Sequence, residues 1–162
     1  MIYLLRILLF IWCLPQNIVG FLFVKIRRGE KYVFSPASGK IITKKRYIKF
    51  VRWIRKTLLK NEYYYIKDKK GVKNYGVSLG NYICMCTEDV SGFSNNDIQH
   101  ENGHRVQSVL LGPFYLIFIG LSSLCNFIYN RIIISKKYDN ETSKKKYHEF
   151  FSESWADKLG SC

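Results

Sequence analysis

Apolar residues are concentrated in two long stretches of the chain, residues 2–24 and 109–129. Each is about as long as the ~20 residues that a helix needs to cross a bilayer. Pro15, followed by Gln16 and Asn17, interrupts the first stretch and predicts a kink or an interfacial half-helix there. A membrane setting is therefore the first hypothesis.

The first stretch differs from a cleaved signal peptide. It is too long, no small-residue cleavage site follows it, and a basic cluster stands directly beyond it: Lys25, Arg27, Arg28 and Lys31. We interpret residues 1–24 as a hydrophobic anchor helix. Its basic flank would lie in the cytoplasm and its N-terminus would lie outside.

Between the apolar stretches, the pattern predicts one helix and then strands. Residues 43–60 carry apolar side chains at helical spacing with Lys and Arg between them. This is typical of a helix on an anionic membrane surface, or of an amphipathic helix packed on the core. Residues 61–74 are predicted to form a loop. Residues 75–87 are rich in strand formers, punctuated by Gly76 and Gly80, and predict one or two strands.

A further helix is predicted to begin near Ser94, because Ser94 and Asp97 have the spacing of an N-terminal capping box. It continues through residues 100–104, and another helix is expected around residues 152–157. The predicted fold is α+β. It contains an N-terminal hydrophobic helix, a small sheet, the helix through residues 100–104, an apolar helix or hairpin, and a C-terminal helix.

The net charge of +14 comes from a single region of the chain. Residues 25–74 contain 17 Lys or Arg and three acidic residues, whereas the rest of the chain has nine of each sign. No recognised nucleic-acid-binding motif accompanies this charge, and it directly follows an apolar segment. Anionic membrane lipids are therefore favoured over nucleic acid as its partner. We divide the chain into an anchor at 1–24, a basic membrane-proximal region at 25–74 and a core at 75–162.

The five cysteines have neither the spacing of a disulfide framework nor that of a Cys-based zinc site. We expect them to be reduced and to serve as small apolar side chains. Cys84 and Cys86 are predicted to share one face of a strand.

His100, Glu101 and His104 form the pattern His-Glu-x-x-His. On a helix both imidazoles lie on one face and can bind one zinc ion, and Glu101 can reach a water on that ion. Glu153 can supply the third ligand that a catalytic zinc site needs, and Asp157, one turn further on, can orient a ligand histidine. Two alternatives stay open: surface histidines beside a salt-bridging glutamate, and an ordinary solvated acidic face.

The two motifs, at His100, Glu101 and His104 and at Glu153 and Asp157, resemble those of the gluzincin clan of zinc metallopeptidases, to which thermolysin belongs. The second gluzincin motif reads Asn-Glu-x-x-Ser-Asp, whereas this chain has Ser-Glu-x-x-Ala-Asp. The longer pattern His-Glu-x-Gly-His-x-x-Gln-Ser also resembles a group of small, uncharacterised, membrane-associated bacterial proteins. The resemblance covers residues 77–160 and marks the core as a zincin-like metallopeptidase.

The resemblance implies a division of roles. Zinc is held by His100, His104 and Glu153, Glu101 acts as general base toward water, and Asp157 orients one histidine.

It also implies a peptide or protein substrate that pairs as a strand with a sheet edge above the helix through residues 100–104. Residues 77–87 are the candidate edge, with Val77, Leu79 and Tyr82 as contacts. The group that stabilises the oxyanion is left open among Tyr138, Tyr147 and His148.

The zinc hypothesis constrains the second apolar stretch, because His104 precedes it and Glu153 follows it. Both must lie on one side of the membrane to share a metal. Gly112-Pro113 and Gly120 offer breaks, so a buried core helix or a shallow hairpin is predicted rather than a crossing.

Two functions follow from the sequence. The first is a zinc metallopeptidase of the bacterial inner membrane, with its site on the cytoplasmic side. The alternative is a catalytically inactive zinc-binding or basic membrane-surface interaction protein.

Overall fold

The computed structural model describes residues 2–32, 63–67, 75–87 and 94–160, and the helix predicted at 43–60 lies outside these ranges. The described residues form an α+β fold, which confirms the predicted class. The strands are β1 (Glu30–Tyr32), β2 (Tyr63–Lys67), β3 (Tyr75–Leu79) and β4 (Tyr82–Thr87). The helices are α1 (Ile2–Trp12), α2 (Leu14–Ile26), α3 (Asn95–Leu111), α4 (Leu116–Lys137), α5 (Asn140–Glu149) and α6 (Phe151–Gly160).

The four described strands form one mixed sheet in the order β1-β2-β4-β3. β2 runs parallel to β4, and the other two pairings are antiparallel. Residues 61–74 were predicted to form a loop, and this is wrong for Tyr63–Lys67, which is an inner strand. The run of three tyrosines and an isoleucine favours strand because aromatic and β-branched side chains pack well on a pleated surface. The strand was not predicted because polar residues surround this short run.

The sheet is packed on both faces, and its side chains alternate between them. Tyr63, Ile83 and Met85 point to the face that packs on Ile98 of α3.

On the other face, Ile66, Cys84 and Cys86 pack against Phe23 and Val24 of α2. The two cysteines share this face, as predicted, and both are free thiols. The sheet therefore lies between the N-terminal segment and α3.

The N-terminal apolar stretch is broken at Cys13, and α1 and α2 meet at a bend of 82°. This confirms the predicted kink, with Pro15 in the first turn of α2, where its missing N–H costs no helical bond. Gln16 is fully buried and donates to Ser108 Oγ (3.0 Å) and to Gly112 O (2.9 Å). The break thus ties α2 to the end of α3.

Asn17, close to the same break, binds the turn between β3 and β4. Gly80 has a φ of +60°, which suits glycine, and the N–H of Asn81 donates to Asn17 Oδ1 over 2.8 Å. The N-terminal segment is therefore bonded to both the sheet and α3.

Helix α3 begins where the capping box predicts. The backbone N–H of Asp97 donates to Ser94 Oγ (3.2 Å), and the backbone N–H of Ser94 donates to Asp97 Oδ2 (2.9 Å). This reciprocal pair satisfies two backbone donors at the start of the helix. The helix ends at Leu111, before the break at Gly112–Phe114.

The second apolar stretch forms most of α4. This confirms the predicted apolar helix, whereas the predicted burial in the core and the hairpin are wrong. α4 is continuous over 22 residues, and only 11% of its apolar window is buried. Gly112 and Pro113 break the chain before α4 begins, and Gly120 lies within the helix without ending it. Ser122 Oγ donates to the carbonyl of Phe118 (2.6 Å), so this serine stays helical. By length and composition α4 could cross a membrane.

Helix α5 returns along the second half of α4. Asn126 Nδ2 donates to Tyr147 O (3.1 Å), and Asn130 Nδ2 donates to Ser143 O (2.9 Å). This return brings α6 back to α3.

Candidate metal centre

The helical spacing of α3 places His100 and His104 side by side, both buried, with their Nε2 atoms 3.1 Å apart. The carboxylate of Glu153 on α6 completes a triangle. Its Oε2 lies 3.1 Å from His100 Nε2 and 3.2 Å from His104 Nε2. Three potential ligand atoms from two helices therefore converge on one point.

Small residues allow α6 to approach α3 closely enough to deliver Glu153. A side chain at Gly103 would collide with the backbone carbonyl of Ala156, and one at Gly160 would collide with the carbonyl of Gln99. The glycine inside the His-Glu-x-Gly-His motif thus has a packing role. It lets the backbones of the two helices touch beside the site.

The outer nitrogen of each histidine is held by a separate acceptor. His100 Nδ1 lies 2.7 Å from Asp157 Oδ1, and His104 Nδ1 lies 2.8 Å from Gln107 Oε1. The orientation of the Gln107 amide follows from its Nε2, which donates to Ser152 O over 2.8 Å.

Partial burial raises the pKa of Asp157, but hydrogen bonds from His100 and His148 outweigh it and hold the value below the usual range. Asp157 is therefore an ionised acceptor. Both Nδ1 atoms must donate to their acceptors, so a histidine in its neutral form directs its Nε2 lone pair into the triangle.

Two nitrogen lone pairs and a carboxylate oxygen repel one another at this distance unless a cation joins them. Without metal a proton can fill this role. Burial lowers the pKa of His100, but its bonds with Asp157 and Glu153 outweigh burial and raise the value to about 10. The alternative cation is a metal ion, and the buried trio His100, His104 and Glu153 has the donor set and spacing to hold one.

Glu153 is itself buried and ionised. Burial raises its pKa, but hydrogen bonds with His100 and His104 outweigh this effect and place the pKa well below the usual range. Ser152 Oγ donates to the second oxygen, Oε1, over 3.0 Å. Only Oε2 faces both histidines, so the carboxylate presents one oxygen to the centre.

Glu101 lies next to the first histidine and faces β3. Its carboxylate occupies the space that a side chain at Gly76 would need. The residue is buried, and Oε2 has no hydrogen-bond partner among the residues that the structure describes. Burial raises its pKa, although the nearby His100 and His104 lower it in part.

The three candidates for oxyanion stabilisation lie in different places. Tyr138 lies beyond the end of α4, with the ammonium groups of Lys137 and Lys146 over its ring. His148 Nδ1 lies 2.9 Å from Asp157 Oδ2, behind His100 and away from the convergent Nε2 atoms. The hydroxyl of Tyr147 interacts with Ser123 and Glu153, so it adjoins the candidate trio.

Of the predicted edge-strand residues, Val77 and Leu79 lie on β3, which is one of the two edge strands of the described sheet and lies beside α3. Tyr82 lies on β4, an inner strand, and its ring packs on those of Phe21 and Tyr64. β3 therefore carries the candidate edge, and Tyr82 points into the packing around α2.

The structure adds two residues that sequence reasoning did not assign. Gln107 stands three positions after His104, so helical spacing could have suggested the contact, although its anchor at Ser152 arises only in the fold. Tyr115 donates its hydroxyl to Ser78 O on β3 over 3.0 Å, and no local signal in the sequence indicates this contact.

A second group in the described residues, His100, His148 and Asp157, also has metal-ligand spacing. It shares His100 with the first trio, and its other two members are only partly buried, whereas all three members of the first trio are buried. The buried trio is the better candidate.

Comparison of the chain with protein-family models, with curated proteins and with solved structures finds no match in any of the three.

Proposed function

We propose that this chain is a membrane-associated zinc metallopeptidase of the gluzincin type. The observation that carries the proposal is the convergence of His100 Nε2, His104 Nε2 and Glu153 Oε2 within 3.1 to 3.2 Å of one another. Donors bound to zinc at about 2.0–2.1 Å in a tetrahedral arrangement stand about 3.3 Å apart. The donor types and their separations both fit zinc with three protein ligands.

Zinc bound by this trio supplies a Lewis acid that lowers the pKa of water to about 7 and polarises a carbonyl. The protein supplies the rest. Asp157 and Gln107 fix the rings of His100 and His104 with their Nε2 atoms directed at the same point. Because the rings are already fixed, the histidines lose little rotational freedom when they bind the metal.

Glu101 is the general base of the proposal. Its Oε2 is buried without a hydrogen-bond partner among the described residues, so it has capacity to accept the proton of a water. It then passes that proton to the leaving amine. Because Glu101 is one residue from His100 and is not part of the convergent trio, it can serve as base without serving as ligand.

The substrate of this proposal is a peptide that adds to the edge at β3. Ser78 O points away from β4, because the Tyr115 hydroxyl donates to it. By the alternation of antiparallel pairs, the N–H and C=O of Gly76 also point to the outer side. Gly76 lies directly over Glu101. A peptide bonded to Gly76 would therefore pass over the general base.

We place the protein at the bacterial inner membrane with its site on the cytoplasmic side. The support is the apolar surface of α1, α2 and α4, together with the excess of basic residues at 25–74. Basic flanks of apolar segments favour the cytoplasmic face.

A Glu101→Gln variant tests the enzyme. It keeps the side-chain volume and removes the base, so we expect stoichiometric zinc but a loss of peptide hydrolysis of at least about 100-fold. Zinc content and cleavage of a quenched-fluorescence peptide library give the two readouts. Glu149→Gln, an exposed glutamate on α5, is the matched control and should retain activity. Full activity in Glu101→Gln would refute the mechanism.

A catalytically inactive zinc-binding protein is the second candidate. The position of Tyr138 and His148 favours it, because neither is directed at the convergent Nε2 atoms, and of the three oxyanion candidates this leaves Tyr147 beside the trio. This candidate predicts stoichiometric zinc in the wild type with no hydrolysis above the level of Glu101→Gln.

A further inference from the structure

Helix α4 carries a continuous apolar stripe on the face that turns away from the protein. The stripe runs from Ile117 through Leu121, Leu124 and Ile128 to Ile132, and each of these side chains is 45% to 63% exposed. An apolar surface this long on one helix indicates a partner rather than water.

The opposite face of α4 packs against the rest of the protein. Asn126 and Asn130 on that face hydrogen-bond to the backbone of α5. Three exposed cations follow one another along α5: Lys144, Lys145 and Lys146. α4 and α5 therefore form one amphipathic unit, apolar on the outside of α4 and charged on α5, where these lysines and the exposed Glu141 and Glu149 lie.

This pairing is incompatible with a crossing by α4. A helix of 22 residues is about 33 Å long and would reach across the hydrocarbon core. Because α5 lies alongside the second half of α4, a crossing would carry Lys144, Lys145 and Lys146 into the hydrocarbon, which is costly. Lying flat instead, α4 keeps the stripe in lipid and α5 in water.

The charged side chains around the stripe indicate the charge of the lipid headgroups. Arg131, Lys136 and Lys137 lie at the C-terminal end of α4, and Lys136 and Lys137 are exposed. Long cationic side chains at the border of an apolar face extend to headgroups, and they favour anionic ones.

The apolar surface continues onto the N-terminal helices. The Trp12 ring packs on Gly112, just before α4, and its Nε1 donates to Val109 O over 3.0 Å. Tryptophan is enriched at membrane interfaces.

We propose that α4 lies in the plane of one anionic leaflet, with the stripe from Ile117 to Ile132 among the acyl chains and α5 on the aqueous side. The inference rests on the membrane association in the proposed function, but it uses neither zinc nor turnover, so it can fail or hold separately from the peptidase activity. It follows that the candidate metal centre and both ends of α4 lie at the same membrane surface.

The depth of three labels along the stripe tests the orientation. Spin labels are attached one at a time at Phe118→Cys, at the native Cys125 and at Ile132→Cys, with the full chain in vesicles of phosphatidylcholine and phosphatidylglycerol. Positions 118 and 132 are about 21 Å apart along the helix. We expect similar depths for all three labels, about 5–10 Å below the headgroups. A label at Lys145→Cys on α5 is the matched control and should remain in water.

Two results would overturn the proposal. A label at 125 near the bilayer centre, with those at 118 and 132 in opposite leaflets, would show a crossing. Labels that contact neither lipid nor water, in a protein that is dimeric in the vesicles, would show that a second copy covers the stripe. A Cys125→Ser, Cys162→Ser parent is the background for the new cysteines. The same parent shows whether the label reacts with the buried Cys13, Cys84 and Cys86, and we expect no reaction.

The lipid charge is tested separately by vesicle binding. Replacing Lys136 and Lys137 together with Gln should weaken binding to anionic vesicles by about 25-fold, or about fivefold per residue. Binding to pure phosphatidylcholine should stay unchanged, and replacement with Arg should restore the affinity. Equal loss on both kinds of vesicle would contradict the role assigned to charge.

Discussion

Gln107 illustrates how a single amide can fix the orientation of a candidate metal ligand. It accepts from His104 Nδ1 and donates to Ser152 O, so one side chain links His104 on α3 to the residue before Glu153 on α6. Spacing in the sequence was sufficient to nominate His100, His104, Glu101, Glu153 and Asp157. It did not give the role of Gln107, because that role depends on a carbonyl 45 positions away.

Replacing Gln107 tests its role as a positioning residue. In Gln107→Leu the Nδ1 of His104 loses its acceptor, so the tautomer and the ring orientation are no longer fixed. We expect zinc affinity to fall about 10- to 100-fold, as measured by competition with a chelator. Gln99→Leu on the same helix is the control and should bind zinc as the wild type does. Unchanged affinity in Gln107→Leu would remove this residue from the site.

The contact between helices α3 and α6 determines whether the site assembles. The capping box at Ser94 and Asp97 predicted where α3 begins, and the structure agrees. Strand β2 was not foreseen, because its pairing with β1 and β4 joins segments far apart in the chain. The continuity of α4 was also missed, because its glycine and serines are accommodated within the helix.

A side chain at Gly103 should separate the two helices. Gly103→Ala would place a methyl group against the carbonyl of Ala156, and we expect a loss of about 3 kcal/mol in the free energy of unfolding. Zinc binding should weaken with it. Gly120→Ala on α4 is the control, because the nearest atom to its added methyl group is 3.5 Å away. Helix propensity predicts that this control is stabilised by about 0.5–1 kcal/mol. Thermal unfolding of both variants is the measurement, and equal stability would contradict the close contact.

For the whole molecule, the N-terminal segment is part of the fold that holds the site. The sequence predicted a break in this segment, and the structure shows what the break does. Gln16 bonds to the end of α3, and Asn17 bonds to the turn between β3 and β4. Neither partner could be foreseen, because both contacts span more than 60 positions. The two apolar stretches are consequently joined through the helix that carries the histidines.

Removal of the Gln16 side chain should therefore destabilise the whole fold. Gln16→Ala leaves the buried Ser108 hydroxyl and the Gly112 carbonyl without this donor, and we expect a loss of about 1–3 kcal/mol in the free energy of unfolding. Denaturant unfolding in detergent micelles measures it. Leu22→Ala, at a side chain that is 49% exposed, is the comparison and should change stability less. A Gln16→Ala variant as stable as the wild type would show that the break is not tied to α3.

The proposed function requires one zinc ion held by His100, His104 and Glu153. Zinc-edge X-ray absorption on the purified protein measures both the number and the identity of its ligands. We predict one zinc per chain, nitrogen and oxygen ligands at about 2.0–2.1 Å, and a reduced ligand number or loss of zinc in Glu153→Ala. A sulfur shell at about 2.3 Å, which would implicate cysteine, or the absence of stoichiometric zinc would contradict this site.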